Sequence, residues 1–517
     1  MTPSRVRRLA ATVGLLFAGG VLGVGACAPE PEVAPNILWI VWDTVRADRL
    51  GVYDGAKPTT PNVDRWAEGA RVFEDALAIA PTTVPNHASM FTGRAPSEHG
   101  ASNAEPRLPD AYPTVAEKLE RVGYRTYLWA ANPHIGKRNR FTRGFDRDEH
   151  PWDFVHQKRA LELARRKSEG DGSGLAEELQ RGRANVWAVK ESGTLAQGSL
   201  LQWLDAQPDT EPWFAFMNYM EAHRPVAPER RFREQVMNAA QVEASYALDR
   251  GWDAIWNYTF GRTEISDADL ALIAGAYDAA IAELDDLFAQ LMAELEDRGE
   301  LKNTVVILTS DHGEHLGEHH MLDHQYSLYD PLLRVPLVIH FPKRFPAGRE
   351  PRPVMTFDLY PTLLDLAGIA DEVAPDSRAV SLLSPESERV RFAEYRAPFG
   401  SPFRKVLETD PGFDASPWRR RLQAIRRDGY KLIHGGDGRR ELFRVSEDPA
   451  EETNVFEEAS DVSTRMGGEL RALFAELAAK APEPVGRGEP LPRADRERLE
   501  ALGYGEAEGA DGAAAGE

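Results

Sequence analysis

The sequence predicts an α/β fold: a doubly wound sheet flanked by helices, with a small antiparallel subdomain towards the C-terminus. Residues 36–43, NILWIVWD, and 304–311, TVVILTSD, are continuous apolar runs that each close on an acid. Runs of this form suit strands buried on both faces of a parallel sheet. Helical patterns lie between the runs, as in ADLALIAGAYDAAIAELDDLFAQLMAELEDR at 268–298. Alternation of this kind marks doubly wound sheets, which bind ligands at the carboxyl ends of their strands. Past residue 385 the texture changes. Segment 422–445, LQAIRRDGYKLIHGGDGRRELFRV, reads as short strands joined by a Gly-Gly-Asp-Gly turn.

In chain order, residues 1–27 have a basic start and an apolar stretch of small and branched residues, ending in Val24-Gly25-Ala26-Cys27. This is the shape of an export signal. Its last four residues resemble a bacterial lipobox, in which Cys27 is acylated and becomes the mature N-terminus. A plain cleaved signal and an N-terminal membrane helix are the alternatives. Cys27 is the single cysteine of the chain, so neither disulfides nor thiol catalysis are expected. Residues 28–35, APEPEVAP, read as a tether, and Ala28 is compatible with the outer membrane. The expected localisation is therefore a bacterial cell envelope, through a lipid anchor only.

The main domain is expected over 36–384, with further strands at 213–219 (WFAFMNY) and 335–341 (VPLVIHF). Polar stretches at about 153–200 and 226–262, rich in Arg, Glu and Trp, read as insertions that shape a substrate cleft. The subdomain is expected over 385–460 and a helical tail over 461–504. Residues 505–517 are Gly, Ala and acids, a composition of disorder. No second stretch is long and apolar enough to span a bilayer.

The formal charge is −21 over 517 residues, and loss of Arg5, Arg7 and Arg8 with the signal takes it from −21 to −24. Phosphates of nucleic acid or of an acidic membrane would be repelled. A small anionic ligand is not excluded, because a bound cation inverts the field of one pocket.

Three stretches carry chemistry. Asp43 closes the first apolar run in WDTVRADRLGVYD, either as a metal ligand or as a cap on the following turn. In SDHGEHLGEHH, 310–320, Asp311 and His312 are adjacent at another strand end, a ligand pair for a divalent cation. A polar turn is the alternative. The density of histidine there, at 312, 315, 319 and 320 with His324 following, argues against it. In PTTVPNHASMFTG, 81–93, Thr83 stands at the start of a helix-like run. Free N–H groups and the helix dipole favour an anion at such a place, and a simple N-cap is the alternative.

Taken together, NILWIVWDTVRADRLGVYD, TVPNHASMFTGRAPSEHG, FMNYMEAHRP, TVVILTSDHGEHLGEH, SLYDPLLRVPLVI and FDLYPTLLDLAG resemble the sulfatase family of the alkaline phosphatase superfamily, in the family's order and over roughly 36–370. The C-terminal YKLIH…ELFRVSEDPAEETN resembles that family's closing subdomain. The resemblance implies an alkaline-phosphatase-like mixed sheet. It also implies one divalent metal ion (Ca, Mn, Zn or Mg) held by Asp43, Asp311 and His312, with the Thr83 side chain completing the site. The second acid of the family's first motif is here Thr44. His223 matches a histidine that contacts the anionic group or protonates the leaving oxygen. His324 or Gln325 lies where many sulfatases have a lysine, and His87 replaces an arginine of the signature. A second metal site would draw on His315.

Thr83 falls where sulfatases oxidise a cysteine or serine to formylglycine. Its Cβ carries a methyl, so oxidation would stop at a ketone, and Ser89 is displaced in register. No formylglycine is expected. The hydroxyl can instead attack directly when a metal lowers its pKa. The expected function is a metal-dependent hydrolase of a sulfate, phosphate or phosphonate ester. Its substrate would be a small ester, a sulfated or phosphorylated glycan, or a lipid headgroup. The alternatives are an envelope phospho-group transferase with the same nucleophile and a non-catalytic glycan-binding lipoprotein.

Overall fold

The structure is a computed structural model. It describes residues 34–53, 55, 57–171, 192–208, 210–248, 251–385, 389–398, 400–481 and 492–502. The expected signal with Cys27, most of the tether and the tail at 505–517 lie outside the described residues, as does part of the first insertion.

Eight strands build the main sheet: β1 (Asn36–Trp42), β2 (Arg71–Phe73), β3 (Arg125–Ala130), β4 (Arg147–Glu149), β5 (Trp213–Tyr219), β6 (Thr304–Thr309), β7 (Leu337–His340) and β8 (Gly348–Glu350). Their order across the sheet is β8-β2-β7-β6-β1-β5-β3-β4. From β6 through β1, β5 and β3 to β4 every pairing is parallel. β7 runs antiparallel to both β6 and β2, which makes the sheet mixed. All seven residues of β5, all six of β6 and six of seven in β1 are buried, as the unbroken apolar runs require.

Two helices fix the site and its support. α1 (Thr83–Thr92) is buried along its whole length and stops at Gly93. Gly93 has φ +64°, and a Cβ there would meet the Tyr360 ring at 2.6 Å, so the stop needs glycine. α2 (Asp267–Asp297) is capped by the Ser266 side chain, which accepts from the Asp269 N–H, and carries Asp267 and Asp269 in its first turn.

The run at 335–341 does not form one strand. Arg334–Val335 joins a separate three-stranded sheet, and only Leu337–His340 enters the main sheet. Pro336 between them has no N–H to give a ladder, and its carbonyl accepts instead from the Thr309 hydroxyl at 2.7 Å.

The second insertion forms three short helices, Arg230–Val236, Ala239–Ala247 and Trp252–Thr259. Beyond the main sheet, β9 (Arg391–Tyr395), β10 (Leu422–Arg427), β11 (Tyr430–Gly435) and β12 (Arg440–Phe443) form an antiparallel meander. The Gly-Gly-Asp-Gly segment turns β11 into β12. A helix at Ser460–Ala479 covers this sheet through Met466, Leu470, Phe474 and Leu477. No helix of the described residues is long and apolar enough to cross a membrane.

Candidate active site

β3, β5, β1 and β6 are consecutive in the sheet and parallel, so their carboxyl ends share one edge. Asn132 and His134 follow β3, His223 follows β5, Asp43 follows β1, and Asp311 and His312 follow β6. Each of these side chains is buried. Doubly wound sheets place their chemistry at this edge.

Asp43, Asp311 and His312 each bring one ligand atom to within 4.8 Å of the others. Oδ2 of Asp43 accepts from the side-chain amides of Asn132 at 2.9 Å and Asn218 at 3.2 Å. Oδ1 of Asp311 accepts from the N–H of His312 at 2.9 Å and of Thr44 at 3.2 Å. Thr44 thus contributes a backbone N–H, from a left-handed conformation with φ +63°, where the expected second acid would bring a carboxylate. Oδ1 of Asp43 and Oδ2 of Asp311 have no hydrogen-bond partner among the described residues.

Burial, with mutual repulsion, pushes Asp43 up to about 6, and burial pushes Asp311 to about 6 as well. Two buried carboxylates with idle oxygens beside an imidazole are a donor set that fits a divalent cation. Gly313 permits the local chain path: a Cβ there would stand 2.0 Å from the Pro331 carbonyl oxygen.

Thr83 opens α1 on this edge. Its hydroxyl lies 3.3 Å from Nε2 of His312 and 3.4 Å from the Asn132 amide nitrogen. Nδ1 of His312 faces the Gly313 carbonyl at 3.0 Å, so it carries the proton and Nε2 accepts. Burial, with His324 nearby, lowers His312 to about 4 and keeps it neutral.

His87, one turn along α1, donates from Nδ1 to the Thr83 carbonyl at 3.0 Å and packs edge-on against Phe216. Burial lowers it to about 3, so it is neutral and does not bring the positive charge of an arginine. Ser89 points elsewhere, to Nε2 of His99 at 3.0 Å.

His223 and His324 complete the pocket, with ring centres 5.1 Å apart, and His324 lies 4.6 Å from His312. Nδ1 of His223 meets the Arg224 carbonyl at 2.6 Å. Nδ1 of His324 lies 2.6 Å from Asp323 and 3.4 Å from Glu314. Burial opposes its charge, but Asp323 and Glu314 outweigh burial and hold the imidazole well above its usual range. Gln325, the other occupant considered for the lysine position, accepts from the Tyr395 hydroxyl at 3.0 Å.

Among the described residues, His315 does not fall in a group of three metal-ligating side chains. Its Nε2 is 2.7 Å from the Ser327 hydroxyl and its Nδ1 faces Glu318 at 3.9 Å. The second group of buried donors is Glu314, Asp323 and His324. His319 stacks on Tyr329 and His320 on Tyr258. Sequence reasoning therefore missed Asn132, Asn218, Glu314 and Asp323. The two acids stood unremarked beside the histidines it singled out, whereas nothing local marked the asparagines.

The Sulfatase family model matches residues 35–369, and that of the N-sulphoglucosamine sulphohydrolase C-terminal region matches 317–476. The N-acetylglucosamine-6-O-sulfatase of Bacteroides thetaiotaomicron is 24% identical, with 86% of this chain and 87% of that one covered. The choline-sulfatase of Rhizobium meliloti is 26% identical, with 82% of each covered. Two solved structures share the fold with a TM-score of 0.64. One is a complex with its substrate D-glucosamine-2-N,6-O-disulfate, at 20% identity over 86% of this chain and 98% of that one. The other is the phosphonate monoester hydrolase of Agrobacterium radiobacter, at 22% identity over 86% and 96%.

Proposed function

The chain belongs to the sulfatase family and is an ester hydrolase of that family; from that premise we propose that the unmodified Thr83 hydroxyl is its nucleophile. The observation that carries the reading is the place of this hydroxyl, at a buried helix N-terminus and 3.3 Å from His312. Asp43, Asp311 and His312 would hold one divalent cation. When bound, such a cation lowers the pKa of a neighbouring hydroxyl and offsets charge on the ester oxygens.

The protein's own groups do the rest. Thr83 Oγ forms a bond to the phosphorus or sulfur as the bond to the leaving oxygen breaks. The proton lost by Thr83 ends on the leaving alcohol, relayed by His223 and His324. Water then attacks the same centre and restores the hydroxyl, with release of the phosphate, phosphonate or sulfate. Asn132 orients Asp43 and Thr83 together, and His87 fixes the first turn of α1. Thr83 cannot give a formylglycine aldehyde, which favours phosphate and phosphonate esters over the usual sulfatase route. The named relatives support a charged carbohydrate as the organic part. The lipobox-like Cys27 supports an envelope location for the same enzyme.

The test uses metal-stripped protein reloaded separately with Mn, Zn, Ca and Mg. It is assayed on aryl sulfate, phosphate monoester, phosphodiester and phosphonate ester beside Thr83→Ala. Turnover that disappears in the variant is expected. Turnover that survives it contradicts the proposal.

A further inference from the structure

The last described helix, Arg493–Ala501, lies past residue 476, where the second family match ends. Its sequence, RADRERLEA, is strongly polar, yet its end is packed against the protein. Leu499 and Leu502, 9% and 1% exposed, form one apolar cluster with Ala131 and Met220, and Trp152 and Ala501 pack against it. Ala131 follows the last residue of β3, and Met220 follows the last residue of β5. The helix therefore sits on the carboxyl edge of the sheet, at the two strand ends that lead into Asn132 and His223.

Two further contacts spread its hold. The indole N–H of Trp252, which opens the third helix of the second insertion, donates to the Ala501 carbonyl at 3.2 Å. The Arg498 guanidinium lies 5.1 Å from the centre of the Trp152 ring. Trp152 in turn stacks on His150 at 4.6 Å, and Nδ1 of His150 donates to the carbonyl of Ala130, the end of β3, at 2.9 Å. One short helix thus touches two strand ends, the entry to the first insertion and the second insertion.

The strand ends it covers support the site. The Ala131 N–H donates to the Asn218 carbonyl at 3.3 Å, and the Asn132 N–H to the Asn218 side-chain oxygen at 3.0 Å. From this lacing the Asn132 amide reaches Asp43 and Thr83. The His223 N–H donates to the Met220 carbonyl at 3.1 Å, so the turn that carries His223 starts on a residue of the same cluster. A misplacement of about 1 Å, even from a change far from the chemistry, lowers a rate by about a hundredfold. Resting on the ester-hydrolase reading above, we propose that the C-terminal helix is a strap across the rim of the active site. Leu499 and Leu502 are its positioning residues, and they hold Asn132 and His223 in register with Thr83 and the metal ligands.

The test compares the full-length protein with Leu502→Ala, Leu502→Met and Trp252→Phe. Leu477→Ala, on the helix that covers the small sheet, is the control for lost burial away from the rim. Hydrogen–deuterium exchange is read on the peptides that carry Asn132 and His223. Mn binding is read by titration of the metal-stripped protein, and kcat and KM on a small aryl ester. Leu502→Ala is expected to exchange faster at both peptides, to bind Mn about tenfold more weakly, and to lose about ten- to a hundredfold in kcat with a smaller change in KM. Leu502→Met, which keeps the volume, should restore these readouts. Trp252→Phe removes only the hydrogen bond to Ala501 and should move them the same way by less; it decides alone if Leu502→Ala does not fold. Leu477→Ala should lower the melting temperature and leave exchange at those peptides, Mn binding and kcat unchanged. Exchange and Mn binding unmoved by the strap variants, or moved equally by Leu477→Ala, would overturn the proposal. If the wild type hydrolyses no ester but Leu502→Ala still speeds exchange and weakens Mn binding, the strap stands and the hydrolase reading fails.

Discussion

The Thr83 hydroxyl and Nε2 of His312 stand 3.3 Å apart across 229 residues of chain. Nδ1 of His312 donates to the Gly313 carbonyl, which leaves the Nε2 lone pair facing the Thr83 hydroxyl, where a cation would be shared between them. One residue opens a helix and the other follows a strand, and their meeting depends on the whole doubly wound core.

Replacing Thr83 is therefore expected to affect chemistry and leave folding intact. Thr83→Ala should lower kcat on the best ester by about a thousandfold or more, whereas Thr83→Ser should retain measurable turnover. Both should melt close to wild type. Steady-state kinetics and thermal melts check this together.

Asn132 and Asn218 hold Oδ2 of Asp43 and leave Oδ1 idle. Partners of this kind orient a metal ligand. Asn218→Ala should weaken metal binding roughly 10- to 100-fold, read by titration of the metal-stripped protein. Asn132→Ala should do the same and also lower kcat, because Asn132 reaches Thr83 too.

His99 gives a pH dependence of stability away from the metal ligands. Burial, with Arg396 nearby, lowers it from 6.5 to about 3. Between those values the unfolded chain binds a proton that the folded chain does not, so stability rises with pH there and is lost as pH falls below 6.5. One such group contributes about 1.4 kcal/mol per pH unit. Urea unfolding at several pH values should give a shallower slope for His99→Gln than for wild type, by about one proton.

Lys431 on β11 is buried between Asp330 at 2.8 Å and Glu451 at 2.7 Å. Asp330 belongs to the segment before β7, so the pair ties the small sheet to the main one. Removing one partner of a buried charge network strands the others. Lys431→Met should destabilise by about 3–5 kcal/mol, measured by chemical denaturation.

Legibility from sequence differed by element. β1, β5 and β6 could be read directly, because a strand buried on both faces must be apolar at every position. Asp43, Asp311 and His312 could be read because each sits just past such a run. The apolar character of 335–341 hides the break that Pro336 imposes between two strands. Five histidines between 312 and 324 looked like one cluster. The turns there send His315, His319 and His320 to Ser327, Tyr329 and Tyr258, and keep only His312 and His324 at the site. Asn132 and Asn218 left no local signal. Their role arises from strand order, which places the end of β5 beside β1 and that of β3 one strand further out.

The most direct test of the central claim is peptide mass spectrometry of enzyme quenched with acid during steady-state turnover of its best ester. The account predicts a phospho- or sulfo-adduct on the peptide that carries Thr83, with threonine otherwise unmodified there and the adduct absent from Thr83→Ala. Full turnover with no adduct on that peptide, or an adduct on another residue, would contradict it.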